Sequence, residues 1–441
     1  MTEMLDTAQP NKAHYLSAVD TLRRGSYPAW LAQVRQAGAA RFSETEFPTR
    51  RHEDWRFTNV APIITTPFRP LTGPEDWNVS VSDLESVLFG TAGWTELVFI
   101  NGYYSAALSR IGSLPKGVVA GSLADAISSG NKLAEHHLSV RRESGNVFNA
   151  LNTALLQDGA FVHLHAGAVL MFPIHLVHVT TGLNEPVAAN PRNLVVLGRD
   201  AQADIIESYV NIGAGAYFSN AVTDVALESG ARVHWHTLVN ESEEGYRLGS
   251  TRVNQDRNSA FRSFAITLGG KIVRNELTTV LDGEGAEATL NGLYLTGGEQ
   301  LVDNAVAIEH AKPHCTSWIG YKGVLDNASS AVYSGKIKVR RNAQKTDSRQ
   351  LNRNLLLSDR ATVNTKPLLE IFADDVKCTH GATVGQHPKE VIFYFRSRGM
   401  NEAMARAMLT YGFADEVINQ IDIEPLRRRL DRAVCERYSP I

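Results

Sequence analysis

The segment FADDVKCTHGATVGQ, Phe372 to Gln386, sets a cysteine and a histidine two residues apart, behind two acids and ahead of a glycine. Alternate residues of a strand face the same way, so the Cys378 thiolate and the His380 imidazole could reach one ion. Both are good ligands for iron or zinc. Lys377 and a protonated His380 are placed to lower the thiol pKa, with Asp374 and Asp375 opposing them. Gly381 removes a side chain just past the pair and leaves room for close approach by another chain. Two ligands do not close a metal site, so further ligands would come from elsewhere, another subunit included. Metal binding, a reactive thiol and core filling all stay open on this local chemistry.

Other candidates are weaker. Cys315 lies in EHAKPHCTSWIGYKG with Glu309, His310 and His314 nearby. His314 and Cys315 are adjacent, so on a strand they point apart, and shared ligation would need a bend at Pro313. A small buried thiol is the plainer expectation for Cys315, and core filling for Cys435. His163 and His165 could share a metal across one strand face, but the following AGAVLMFP supplies no carboxylate, so hydrogen-bonded or solvated imidazoles are expected. Nucleotide chemistry is missing. ITLGGKIV lacks the first glycine and the Ser/Thr of a phosphate-binding loop. DGEGAEA spells G-x-G-x-x-A, but EATLNGLYL after it reads as strand, where pyrophosphate needs a helix N-terminus.

Three textures position these residues along 441 positions. Residues 1–94 are mixed, with a helical stretch and the aromatic-rich FPTRRHEDWRFTNVAPI from Phe47 to Ile63. Residues 95–388 alternate short β-branched runs with Gly, Asn and Asp. Residues 389–441 are helical again: Asn401 can cap a helix bearing Met404, Met408 and Tyr411 on one face, with Leu409 and Phe413 nearby, and Pro425 suits the first turn of a second, basic helix. In the middle region a pattern of Leu, three polar or small residues and Ala recurs from Leu197, Leu227 and Leu357, with looser versions from Leu281 and Leu325. The intervals of 30, 54, 44 and 32 residues show no fixed period. That disfavours consensus repeats and leaves an irregular β-solenoid slightly ahead of a sandwich.

Composition sets bounds. A net charge of −3 gives no reason to expect nucleic acid or an anionic membrane. Three cysteines do not make a disulfide framework and suit a reducing compartment, so a cytoplasmic protein is expected. The apolar tract from Phe161 to Val179 holds four histidines and Pro173. Imidazoles are costly in hydrocarbon, so a soluble strand pair broken at the proline is expected.

Lys345 to Gln386, KTDSRQLNRNLLLSDRATVNTKPLLEIFADDVKCTHGATVGQ, followed by IFYFRSRGMNEAMARAML, closely resembles the SufB/SufD family of iron–sulfur cluster assembly proteins. FPTRRHEDWRFT resembles that family's N-terminal signature, and the order of regions matches over nearly the whole chain. His380-Gly381-Ala382 stands where SufB proteins carry His-Glu-Ala, so the form is most like SufD, and the SufB glutamate has no counterpart. The resemblance implies a mainly β fold, a right-handed parallel β-helix with helical regions at both ends. It implies a non-catalytic scaffold subunit, pairing with a SufB-like paralogue and two copies of a SufC-like ATPase that would bind the ATP. A homodimer of the isolated chain also stays open. Cys378 and His380 would lie near the SufB interface and hold a transient, shared iron–sulfur cluster, with a weaker case for Cys315 and His314. Met404, Met408, Leu409 and Phe413 would dock the ATPase. Two rivals are a structural partner with all cluster chemistry on SufB, and a carbohydrate-active β-helix enzyme, for which no signal peptide or acidic ladder is visible.

Overall fold

A computed structural model of the chain describes residues 8–23, 25, 27–75, 77–139, 145–181 and 185–438. From Arg192 onward, successive strands go alternately to two sheets, and each pairs in parallel with the strand two places on. The result is a parallel β-solenoid of about 8 turns. One inward column runs Ala203, Val233, Phe261, Ala288, Ser317, Ser348, Cys378, its members 27 to 31 residues apart. The coil length is therefore nearly constant. Leu197 and Leu227 are register partners one coil apart, and Leu281 lies two coils beyond Leu227 on the same sheet. Leu325 belongs to the other sheet, so the uneven motif intervals are whole and half multiples of one coil.

In six successive coils one corner repeats a left-handed residue: Asp200, Gly230, Asn258, Gly285, His314 and Lys345 all have φ between 54° and 72°. Such turns favour Gly, Asn and Asp. Next to each comes a small residue with its side chain inside: Ala201, Ala231, Ser259, Ala286, Cys315 and Thr346, none more than 1% exposed. DGEGAEA is this corner followed by the strand Glu287–Thr296, as its sequence suggests. The Phe161–Val179 tract forms two strands, Ala160–Leu164 and Ile174–Thr181. Among the described residues no helix is long and apolar enough to cross a membrane.

The middle region also carries helices that the strand pattern does not announce, Leu123–Ser128, Lys132–Ser139 and Val147–Ala154. They cover Phe161, Leu194 and Val196 on the outer face of the first sheet, or pack with the N-terminal helices. The FPTRRHEDWRFT segment latches that helical region to the solenoid. Thr58 donates to Asp303 at 2.5 Å, Trp55 stacks on the Arg274 guanidinium at 4.1 Å, and Arg274 and Asp303 form a buried ion pair. At the other end, the helices Glu402–Ile418 and Glu424–Tyr438 press Ala414, Val417, Ile418, Leu426 and Leu430 onto Ile206, Leu238, Phe264 and Leu293 of the second sheet. Asn401 caps the first of these, accepting from the Met404 backbone N–H at 2.8 Å.

Candidate functional site

The two sheets end on the strands Thr362–Ile371 and Lys377–Gly385, each paired on one side only. Elsewhere in the solenoid inward side chains are enclosed by the coils before and after. Here the outer side is bare: Leu368, Ile371, Phe372 and Val384 are 37%, 39%, 59% and 48% exposed. Cys378 and His380 sit in this last coil, on the inward face of the strand Lys377–Gly385, aligned with Ser348 and Gln350 of the coil beneath. Cys378 is half-buried and packs against the edge of the core, while His380 is exposed. The strand period thus places thiol and imidazole on one face, at the open mouth of the solenoid.

The thiol's electrostatics run opposite to the expectation drawn from Lys377 and His380. Burial, and then the Asp347 carboxylate contributed by the preceding coil, push its pKa above the ordinary thiol value. Asp375 is tied up in an ion pair with Lys345. Beneath the pair lies a polar floor that the sequence pattern does not reveal. Ser348 shares a 2.6 Å hydrogen bond with Ser317, which meets His310 Nε2 at 2.9 Å. Gln350 donates to the Gly335 carbonyl at 3.2 Å, and among the described residues its Oε1 is buried without a partner, as is the Tyr333 hydroxyl. These residues are distant in sequence from Cys378, and only the coil register brings them under it.

His314 and Cys315 are not brought together. His314 takes the left-handed corner position and is exposed, while Cys315 is fully buried with its thiol 3.3 Å from the Gly283 carbonyl. His310 is buried, and Glu309 faces the other way to pair with Lys338 and Arg340. Among the described residues, no group of three His, Cys, Asp or Glu side chains could hold a metal ion. The open end therefore holds two candidate ligands, with no closed site among the described residues.

In the C-terminal helix, Met404 and Met408 are 41% and 48% exposed. Leu409 is half-buried, and Phe413 packs on the chain's own second sheet with the Lys322 ammonium 4.4 Å from its ring. The neighbouring helix Lys389–Ser397 adds Phe393 and Tyr394, 71% and 55% exposed, which the sequence reading passed over. Their signal was present: three consecutive aromatics, Phe393, Tyr394 and Phe395, in a short helix whose only buried residue is Ile392.

A family model described as the SufBD core domain of the SUF system for FeS cluster assembly matches residues 178–413, and one for the SufBD N-terminal region matches residues 7–176. An iron–sulfur cluster assembly SufBD family protein of Synechocystis is 32% identical over 421 residues, covering 94% of this chain and 92% of its own. The iron–sulfur cluster assembly protein SufD of Escherichia coli is 30% identical over 437 residues, covering 96% and 95%. A chloroplastic protein of Arabidopsis thaliana named ABCI7 is 30% identical, covering 90% and 84%.

Proposed function

The chain belongs to the SufB/SufD family of iron–sulfur cluster assembly proteins and is SufD-like, and from that premise we propose that it acts as a SufD-like subunit of a SUF scaffold complex. The observation that carries this reading is the uncovered last coil, where Cys378 and His380 line the inward face at the open end of the solenoid beside an apolar rim. An unpaired strand edge with exposed apolar side chains is a template for another chain. A SufB-like paralogue covering it would supply the ligands this chain lacks, so that a nascent cluster, the cargo, forms across the interface. Because burial raises its pKa, Cys378 stays a protonated thiol in the free chain, and iron binding would displace that proton. The subunit itself is non-catalytic. ATP would be hydrolysed by two SufC-like partners, docked through the exposed Met404 and Met408 with Leu409 and Phe413 behind them, in the cytoplasm.

Co-expression with a SufB-like and a SufC-like protein tests the assembly. The account expects all three to co-purify, Phe372→Asp with Val384→Asp to release the SufB-like partner, and Met404→Asp with Met408→Asp to release the ATPase. A truncation after Arg398 would be uninformative, because it removes Ala414, Val417 and Leu430 from this chain's own core. Unchanged association in both double variants would contradict the reading.

A further inference from the structure

We propose that His163 and His165 form a second metal site, a two-imidazole chelate for a divalent late transition-metal ion such as Zn2+, Ni2+ or Cu2+, on the outer surface of the first sheet. Val162 and Leu164 point into the solenoid core, so His163 between them points out. His165 follows two residues on, and the ring centroids are 4.6 Å apart with planes inclined by 34°. An imidazole nitrogen binds zinc at about 2.0–2.1 Å. With each ring centre roughly 1 Å behind its nitrogen, two rings sharing one ion at a right or tetrahedral angle have centres about 4.5–5 Å apart. The observed spacing therefore fits a common ion.

The backbone holds the second ligand although it lies just beyond the strand Ala160–Leu164. The His165 N–H donates to the Gly117 carbonyl at 2.8 Å, and its own carbonyl accepts from Ala168 at 3.1 Å. Gly117 and Gly198 make this turn possible: a Cβ on Gly117 would lie 3.2 Å from that of His165, and one on Gly198 would lie 2.7 Å from the Ala166 nitrogen. The pair is thus pre-positioned on rigid backbone, which lowers the cost of chelation.

Neither ring has a hydrogen-bond or ion-pair partner among the described residues, so a nitrogen of each is free to coordinate. His163 is half-buried and His165 exposed, which leaves the ion's other positions to water. Glu228 accepts from the Arg199 backbone N–H at 2.9 Å. The same i, i+2 logic governs Cys378 and His380, but this pair needs no partner chain and its test is independent of cluster assembly.

Isothermal titration of the full chain with ZnCl2 or NiCl2 tests the site, in a background carrying Cys378→Ser and His380→Ala so that the open end does not contribute. One ion per chain is expected. His163→Ala and His165→Ala should each weaken binding by more than the roughly 10–100-fold typical of a lost outer-shell partner, while His136→Ala leaves it unchanged. Loaded with Cu2+, the chain should show coupling to two imidazole nitrogens by electron paramagnetic resonance, absent in the double variant. If an alanine variant unfolds, the corresponding glutamine variant replaces it. No binding in the background chain, or equal binding after either histidine is replaced, would overturn the proposal.

Discussion

Two coils apart near one corner of the solenoid, Cys315 and Cys378 meet different surroundings. Cys315 occupies a column of small side chains between Ala286 and Thr346, fully enclosed, with its thiol against the Gly283 carbonyl. Cys378 has Ser348 beneath it and, among the described residues, no strand above. The histidines divide the same way. His178 is buried between the rings of Phe99 and Tyr209, at 5.0 and 4.8 Å, and His310 is held by Ser317, whereas His380 is exposed. Inner coils spend such side chains on packing and internal hydrogen bonds. A terminal coil leaves one side of them unshared, and a ligand requires that free side.

The contrast can be broken first where packing is tightest. Tyr209 is 1% exposed, stacks on His178 and donates to Glu207 at 2.9 Å. Tyr209→Ala should cost about 3–5 kcal/mol in urea unfolding, as for other large aromatics removed from a core. A cost under 1 kcal/mol would mean that the inner coils are not the rigid part. Acid probes the same interior. Burial depresses the pKa of His178 and His236 to about 3 and of His310 to about 4. These residues are neutral in the folded chain, while the unfolded chain takes up protons below about 6.5. Their contribution is intact above that pH and is lost as pH falls toward the folded values, by about 2 kcal/mol per histidine between pH 7 and 5. Glu241 acts in the opposite sense: burial raises its pKa to about 7, so stability declines as pH rises from about 4.5 to 7, and Glu241→Gln should flatten that limb. Urea midpoints at pH 5, 7 and 8 separate the two.

Cys315→Leu should overpack its corner and cost about 1–3 kcal/mol. At the open end Phe372→Ala, at 59% exposure, should change the free chain's stability by no more than about 0.5 kcal/mol. If the two variants cost the same, the distinction between enclosed and open coils fails.

Much of this was legible in the residues. The Cys378–His380 spacing put both on one strand face, and Asn401 marked its helix. The repeat was hidden because the corner positions share a backbone conformation, not a residue type: Asp200, Gly230, Asn258, Gly285, His314 and Lys345 all do the same work. That is also why His314 looked like a ligand, when its place is a turn. The direction of the thiol's pKa was not legible because it is set first by burial against the core edge and then by Asp347, which reaches Cys378 from the preceding coil, as Ser348 and Gln350 do. Short helices such as Val147–Ala154 were lost among strands because their burial depends on a sheet formed later in the chain.

The proposed function stands or falls with cluster ligands in the open last coil. Iron and acid-labile sulfide measured in the purified complex with SufB-like and SufC-like partners test it, with His380→Ala compared against the unaltered chain. The account expects the variant to assemble with both partners and to lose its cluster content. Cys378→Ser should be equally severe if the thiolate also ligates, and milder if His380 is the main ligand. Full iron and sulfide in the His380→Ala complex would contradict the ligand role and leave this subunit a structural partner.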